Sequence, residues 1–261
     1  MPTEGTDGVR RDPAPSVGRR LLSETDVVPS ASIDDRTGGS GASGTTVETG
    51  TTVVALTAGE AVVLAADRRA SVGGGRFVTG KDVRKVEQVH PSAATAGSGA
   101  VSHLQHLNDT LSAEASLYET RRGEPMRVAA LATLAGNVLR RQPMHVQVLL
   151  GGVDAEGPRV YSLDGGGSVL ADEYVAGGSG MQVAYGVLER GYDSEITPAD
   201  AQALAARAID AAGERDTASG NGLTLAVVTE EGIEVEAHDD PMSAVDVDAV
   251  GANAAGSEEV T

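Results

Sequence analysis

A hydroxyl that follows a glycine at the head of an apolar run can act as a nucleophile once its own amino group is freed. Such a group stands at Gly50-Thr51-Thr52-Val53-Val54. Our reading is that residue 51 becomes a free N-terminus. The α-amino group titrates near ~7.7–8, which suits a general base at neutral pH. It can take the hydroxyl proton directly or through water. A lysine, near ~10.4, needs a large shift for the same task. Three further stretches carry groups that could serve this nucleophile: Asp67 sixteen positions on, Lys85 after it, and Glu214-Arg215-Asp216-Thr217-Ala218-Ser219-Gly220 far downstream.

Other chemistries lack their residues. The histidines are His90, His103, His106, His145 and His238, with no His-Glu-x-x-His among them and no Gly-x-Ser-x-Gly in the chain. No carboxylate is spaced to complete a metal site with His103 and His106. A serine–histidine triad is compatible with the spacing, but nothing marks one. Gly39-Ser40-Gly41-Ala42-Ser43-Gly44 follows no strand and opens no helix, so it fails as a dinucleotide fingerprint.

Composition narrows the partners. The 261 residues carry a net charge of -18, which disfavours nucleic acid and anionic membranes. With no tryptophan and one phenylalanine, stacking platforms for single strands are not expected. No cysteine is present, so disulfides and thiolate metal sites are out. Only Lys81 and Lys85 are lysines, and this acidic, lysine-poor pattern resembles proteins of salt-loving archaea. In such a medium surface ion pairs are screened within about 3 Å at 1 M salt. No apolar run approaches the ~20 residues of a membrane span, and the N-terminus has no apolar stretch of a secretory signal.

The elements that must position these groups can be read in order. Residues 1–50 are Gly-, Ser-, Asp- and Pro-rich and read as a disordered leader. Residues 51–57 and 61–66 read as strands joined by Ala58-Gly59-Glu60. Further strands are expected at 77–78, 83–89, 93–98, 146–153, 159–163, 169–174, 223–229 and 233–236. Ser102-x-x-Gln105 is a capping-box pattern that predicts a helix ending near Gly123. A second helix ends before Pro143. A third spans about 181–190, and a fourth opens on Thr197-Pro198 with Asp200 in its first turn. From 239 to 261 the chain is acidic with no basic residue, and it reads as a solvated tail. Strands and helices come in blocks, so an α+β arrangement is expected, with two face-to-face sheets and a helix layer outside each.

In this order and spacing the motifs resemble the catalytic β-subunit of the archaeal 20S proteasome. The residues that carry the likeness are Gly50-Thr51-Thr52-Val53, Leu64-Ala65-Ala66-Asp67-x-Arg69-Ala70-Ser71, Lys81-Asp82-Val83-Arg84-Lys85-Val86, Gly178-Ser179-Gly180 and Asp216-x-Ala218-Ser219-Gly220. The likeness covers residues 50–238. It implies the four-layer αββα sandwich of the N-terminal-nucleophile hydrolases and a threonine endopeptidase acting on unfolded proteins. Autocatalytic cleavage of the Gly50–Thr51 bond would release residues 1–50 and leave a catalytic domain over 51–238. Asp67 and Lys85 match the pair beside the nucleophile; a nearby ammonium lowers the pKa of hydroxyl and amine, and the carboxylate holds it charged. Gly99 matches the oxyanion donor, a role worth ~3 kcal/mol. Ser179, Asp216 and Ser219 match the groups that orient the amine and a water. Ala70, Val83, Gly97 and Val101 match an apolar pocket, implying cleavage after hydrophobic residues. No metal or organic cofactor is implied. The partners implied are other β-subunits in heptameric rings, α-type subunits and, indirectly, an ATPase that unfolds substrates, all in the cytoplasm.

Rivals and departures stand beside this. Lys81 competes with Lys85, and Gly97 with Gly99. Ser179 could instead cap the helix after it. Gly44-Thr45-Thr46 is a second start, from which Asp67 lies twenty-two positions away rather than sixteen. The family pattern has three threonines then Val-Gly where this chain has Thr51-Thr52-Val53-Val54-Ala55, and Gly73-Gly74-Gly75-Arg76 is two residues longer than expected. A non-catalytic ring subunit would keep the fold but lose the threonine, the lysine or the preceding glycine, and all three are present. The bacterial two-component relative lacks the Asp-x-x-Ser-Gly segment. An acidic β-sandwich binding protein explains the composition but not the ordered motifs.

Overall fold

Two adjacent runs, 52–58 and 61–67, are apolar on both faces, so each must be covered on both sides. The computed structural model describes residues 48–245 and covers them with a second sheet on one face and a helix pair on the other. The chain gives β1 (Glu48–Thr49), β2 (Thr52–Ala58), β3 (Ala61–Asp67), β4 (Ala70–Val72), β5 (Phe77–Gly80), β6 (Val86–His90) and β7 (Ala93–Ala100). Helices α1 (Val101–Arg122) and α2 (Val128–Arg141) follow, then β8 (Val146–Asp154), β9 (Gly157–Asp164), β10 (Val169–Asp172) and β11 (Tyr174–Gly178). Helices α3 (Met181–Gly191) and α4 (Pro198–Arg215) precede β12 (Leu223–Thr229), β13 (Gly232–His238) and a 3-10 turn at Pro241–Ala244.

One sheet has the order β11-β2-β3-β12-β13 and the other β1-β7-β8-β9-β10, with β6 also pairing with β7. Alternation along β2 and β3 sorts their side chains. Val53, Ala55, Val62 and Leu64 meet Ala94, Ala96, Leu149 and Val160 between the sheets. Val54, Leu56, Val63 and Ala65 face Leu188, Leu204 and Ile209 of α3 and α4. Leu107, Leu111, Leu131 and Leu139 of α1 and α2 cover Val148, Leu150 and Leu163 on the far side. The result is the four-layer αββα sandwich the sequence implied.

Local differences have physical causes. The capping box at Ser102 does not start α1: the helix begins at Val101, with Ala100, the last residue of β7, as its extended N-cap and no side-chain cap bond. The strand expected at 169–174 breaks at Glu173, because β10 pairs with β9 in one sheet and β11 with β2 in the other. Strand β6 starts at Val86 rather than 83, and β4 was not anticipated. The acidic tail does not loosen at residue 239. Asp240 accepts the Met242 amide at 2.9 Å, Asp239 pairs with Arg68 at 2.8 Å, and Val245 is buried against α4's cluster. The expected leader, the second start at Thr45 and the tail beyond Val245 lie outside the described residues, apart from Glu48, Thr49 and Gly50.

The start of α4 is as expected. The Thr197 hydroxyl accepts the Asp200 amide at 3.2 Å, with Pro198 at the first helical position. Thr197→Ala should lower unfolding free energy by about 1 kcal/mol; the shift of the urea midpoint checks this.

Candidate functional site

Strand pairing brings the distant motifs to one corner. Thr51 immediately precedes β2, Asp67 ends β3, and Lys85 immediately precedes β6 on the facing sheet. Register places Gly178 opposite Thr52 and Leu223 opposite Asp67, so the 216–222 loop crosses the same end of the sheet.

The centre is buried: Thr51 and Asp67 are 0 % exposed and Lys85 8 %. Asp67 Oδ1 accepts the Thr51 hydroxyl at 2.5 Å, the Lys85 ammonium at 2.6 Å and the Thr52 amide at 2.9 Å. Its Oδ2 accepts the amides of Arg69 at 3.1 Å and Gly220 at 2.9 Å. Five donors on one buried carboxylate fix it in place. Lys85 Nζ also donates directly to Thr51 Oγ1. Burial pushes the Lys85 amine below its ordinary value, and the Asp67 charge opposes that shift without reversing it. A lysine in this state can exchange a proton with the hydroxyl it touches.

A further set of contacts holds the backbone of Thr51. Its N–H donates to Ser179 Oγ at 3.1 Å. Ser179 Oγ in turn donates to Asp216 Oδ2 at 2.6 Å, which also accepts Ser219 Oγ at 2.7 Å. Ser219 and Thr52 hydroxyls meet at 2.8 Å. Ser179 therefore acts on Thr51 and does not cap α3, whose N-cap is Gly180 with no side-chain cap bond.

Of the rivals, Lys81 is exposed and Lys85 reaches the threonine. The Gly97 amide donates to the Lys85 carbonyl at 3.1 Å. Gly99 lies in register with Thr49 of β1. Beside Lys85 is a cavity of about 90 Å³ that Val83, Gly97 and Val101 line together with Arg84, Glu87, Leu104, Gln105 and Asn108. Ala70, expected there, does not line it: it is buried in β4, paired with Gly80. Its lining sets apolar Val83, Val101 and Leu104 beside the polar side chains of Arg84, Glu87, Gln105 and Asn108.

Sequence reasoning assigned no role to Arg69, Ser71 or Asn221. Arg69 Nε donates to Asn221 Oδ1 at 2.8 Å and its Nη1 to the Thr217 carbonyl at 3.1 Å, while Ser71 donates to the Ala218 carbonyl at 3.2 Å. Together they clamp the loop that carries Asp216 and Ser219. The one available signal was Asn221 itself, whose φ of 62° is the left-handed conformation asparagine tolerates in turns. Among the described residues no group of three or more metal-ligating side chains converges, and no helix is long and apolar enough to cross a membrane.

A family model described as "Proteasome subunit" matches residues 47–228. The chain is 54% identical over 194 residues to a protein of Haloterrigena turkmenica named "Proteasome subunit beta 2", a span covering 74% of this chain and 81% of that protein. It is also 54% identical over 194 residues to "Proteasome subunit beta" of Halorhabdus utahensis, covering 74% and 82%. With the protein of the same name from Halomicrobium mukohataei it shares 49% identity over 211 residues, covering 80% and 89%.

Proposed function

As the chain belongs to the proteasome subunit family, on the β side of a core built with other subunits, we propose that it is a threonine endopeptidase that matures by cutting its own Gly50–Thr51 bond. One observation carries this reading. The hydroxyl that follows Gly50 is buried in contact with both a carboxylate and an amine of lowered pKa.

In the uncut chain Thr51 has no free amine, so its proton must go elsewhere. Neutral Lys85 takes the hydroxyl proton as Thr51 Oγ adds to the Gly50 carbonyl carbon. The C–N bond breaks, the nitrogen gains a proton, and an ester links Gly50 to the Thr51 side chain. Water then hydrolyses the ester, giving a Gly50 carboxylate and a Thr51 with free hydroxyl and amine. On a substrate the same oxygen attacks a peptide carbonyl, now with the α-amine as base. The acyl-enzyme is released by water, and Ser179, Asp216 and Ser219 orient the amine and that water. Gly99 supplies the backbone donor to the oxyanion.

The remaining parts of this reading are the family's. Residues 1–50 form the removed leader and the catalytic domain begins at 51. Rings of seven β-subunits stack against α-type subunits in the cytoplasm, an ATPase delivers unfolded protein, and hydrophobic side chains precede the bond that is cut.

The decisive measurement is the N-terminal residue and intact mass of the subunit isolated from the assembled particle at high salt. A chain beginning at Thr51 is expected. An intact leader in an assembled particle would instead mark a structural subunit, and a start at Thr45 would move the nucleophile. Asp216→Asn is a second check. It weakens two charge-assisted hydrogen bonds, each worth about 1.5–3 kcal/mol, so kcat/KM for a fluorogenic peptide should fall by at least ~10-fold with Thr51 still released.

A further inference from the structure

The residue before the nucleophile is glycine, and its backbone does not explain why. Gly50 is not among the residues with positive φ, so any L-residue could adopt its conformation. Space explains it instead. A Cβ on Gly50 would lie 2.0 Å from the Ala218 Cβ, with the Ala218 Cα and Ser179 Oγ both at 3.3 Å. The first contact is impossible and the other two are tight but tolerable. The obstacle is a single methyl group.

That methyl is itself well held. Ala218 is 3 % exposed. Its amide donates to Asp216 Oδ1 at 3.2 Å, and its carbonyl accepts the Ser71 hydroxyl at 3.2 Å. It sits between two residues of the amine-orienting network, so it cannot retreat without disturbing Asp216 or Ser219. The leader cannot retreat freely either, because Thr49 and Glu48 are paired with Gly99 and Ala100. The cavity beside Lys85 is walled by neither Ala218 nor Ser179.

We propose that Ala218 is the residue that restricts maturation to glycine at position 50, and that this restriction is separate from the reading of substrate side chains by the cavity beside Lys85. The proposal rests on the self-cleavage reading above. Residue 50 meets a wall during the one intramolecular cut. A substrate's residue before the scissile bond approaches without the leader's tether and places its side chain elsewhere. Ala218 here is a specificity-determining residue of the maturation step and does not touch the reacting atoms.

The test is a compensating pair, read by intact mass of the subunit after co-expression and assembly at high salt. Gly50→Ala should leave at least nine-tenths of the chains uncut. Adding Ala218→Gly removes the obstructing Cβ and should restore cutting at least ~10-fold over Gly50→Ala alone. Gly50→Val should stay uncut in both backgrounds, because its Cβ already lies 3.3 Å from the Ala218 Cα and Ser179 Oγ and two further methyl groups need more room. A chain made to start at Thr51 by trimming a fusion in trans bypasses the cut, and with Ala218→Gly it reports whether the site survives the substitution. Should that trimmed variant be inactive, the structure of uncut Gly50→Ala decides: displacement of the 216–220 loop or of residues 48–50 is expected. Efficient cutting of Gly50→Ala overturns the proposal, as does failure of an active Ala218→Gly to rescue it, or an undisplaced loop and leader. Failure of the unaltered chain to cut at all would instead sink the self-cleavage reading.

Discussion

A Thr51→Ala chain will keep its bond between residues 50 and 51, and the same variant trimmed in trans to start at position 51 will lose turnover by about 10⁶-fold. That is the scale on which deletion of a hydroxyl nucleophile acts in serine hydrolases. The structure shows why no neighbour can substitute. Thr52 Oγ is turned away and bonded to Ser219 at 2.8 Å, and Ser179 Oγ is committed to Asp216 at 2.6 Å. Thr51→Ser retains the hydroxyl and should retain both reactions. The two readouts, intact mass and hydrolysis of a fluorogenic peptide, separate maturation from turnover. Hydrolysis by the trimmed Thr51→Ala chain at near the unaltered rate would remove Thr51 from the chemistry.

The second large effect is at Lys85. Lys85→Ala leaves the Asp67 carboxylate, with no exposed side-chain surface, without its cation. Breaking a buried pair by removing one partner typically costs about 3–5 kcal/mol, and the acceptor proposed for the Thr51 proton goes with it. Both maturation and stability should therefore fail together, the latter as an earlier denaturant midpoint. Lys85→Arg keeps the charge but stays protonated, so it should spare more stability than maturation. The pH dependence has a defined sign. Burial lowers the Lys85 pKa, so its neutral form persists further below the ordinary ~10.4 than in a free lysine. The maturation rate should fall as pH falls through that lowered value, about tenfold per unit. Stability moves the same way. Between the folded value and ~10.4 the unfolded chain binds more protons, so stability rises with pH across that window and the burial penalty is full only below it. A maturation rate flat in pH would exclude Lys85 as the proton acceptor.

Much of this arrangement could be read from residue order, and the reasons are specific. The start of α4 was legible because Thr197, Pro198 and Asp200 each act within a few residues. Thr51, Asp67 and Lys85 were legible as a set because their motifs, in that order and spacing, resemble the proteasome β-subunit pattern; that Lys85 stands just before a strand was not, since a strand was expected from residue 83. What escaped depended on tertiary pairing. Nothing local at Glu173 tells the chain to leave one sheet for the other; the partners β9 and β2 decide it. Ser102 carries a good capping pattern, yet β7 runs straight into α1 and leaves no room for a cap there. The Arg69 clamp joins residues about 150 positions apart, and no spacing rule reaches that far.

The sheet order β11-β2-β3-β12-β13 also sets a clock. Strand β2 leaves the ribosome early, but its neighbour β11 ends at Gly178, and the Asp67 end of β3 waits for Leu223. At roughly 5–20 residues per second of synthesis, more than 150 residues separate Asp67 from that partner, an interval of roughly 8–30 s. For most of it Thr51 is present but lacks Ser179, Asp216 and the Gly220 amide. On the self-cleavage reading, the contacts around Thr51 cannot be completed until almost all of the described residues exist, so topology as well as the uncut leader delays the reaction.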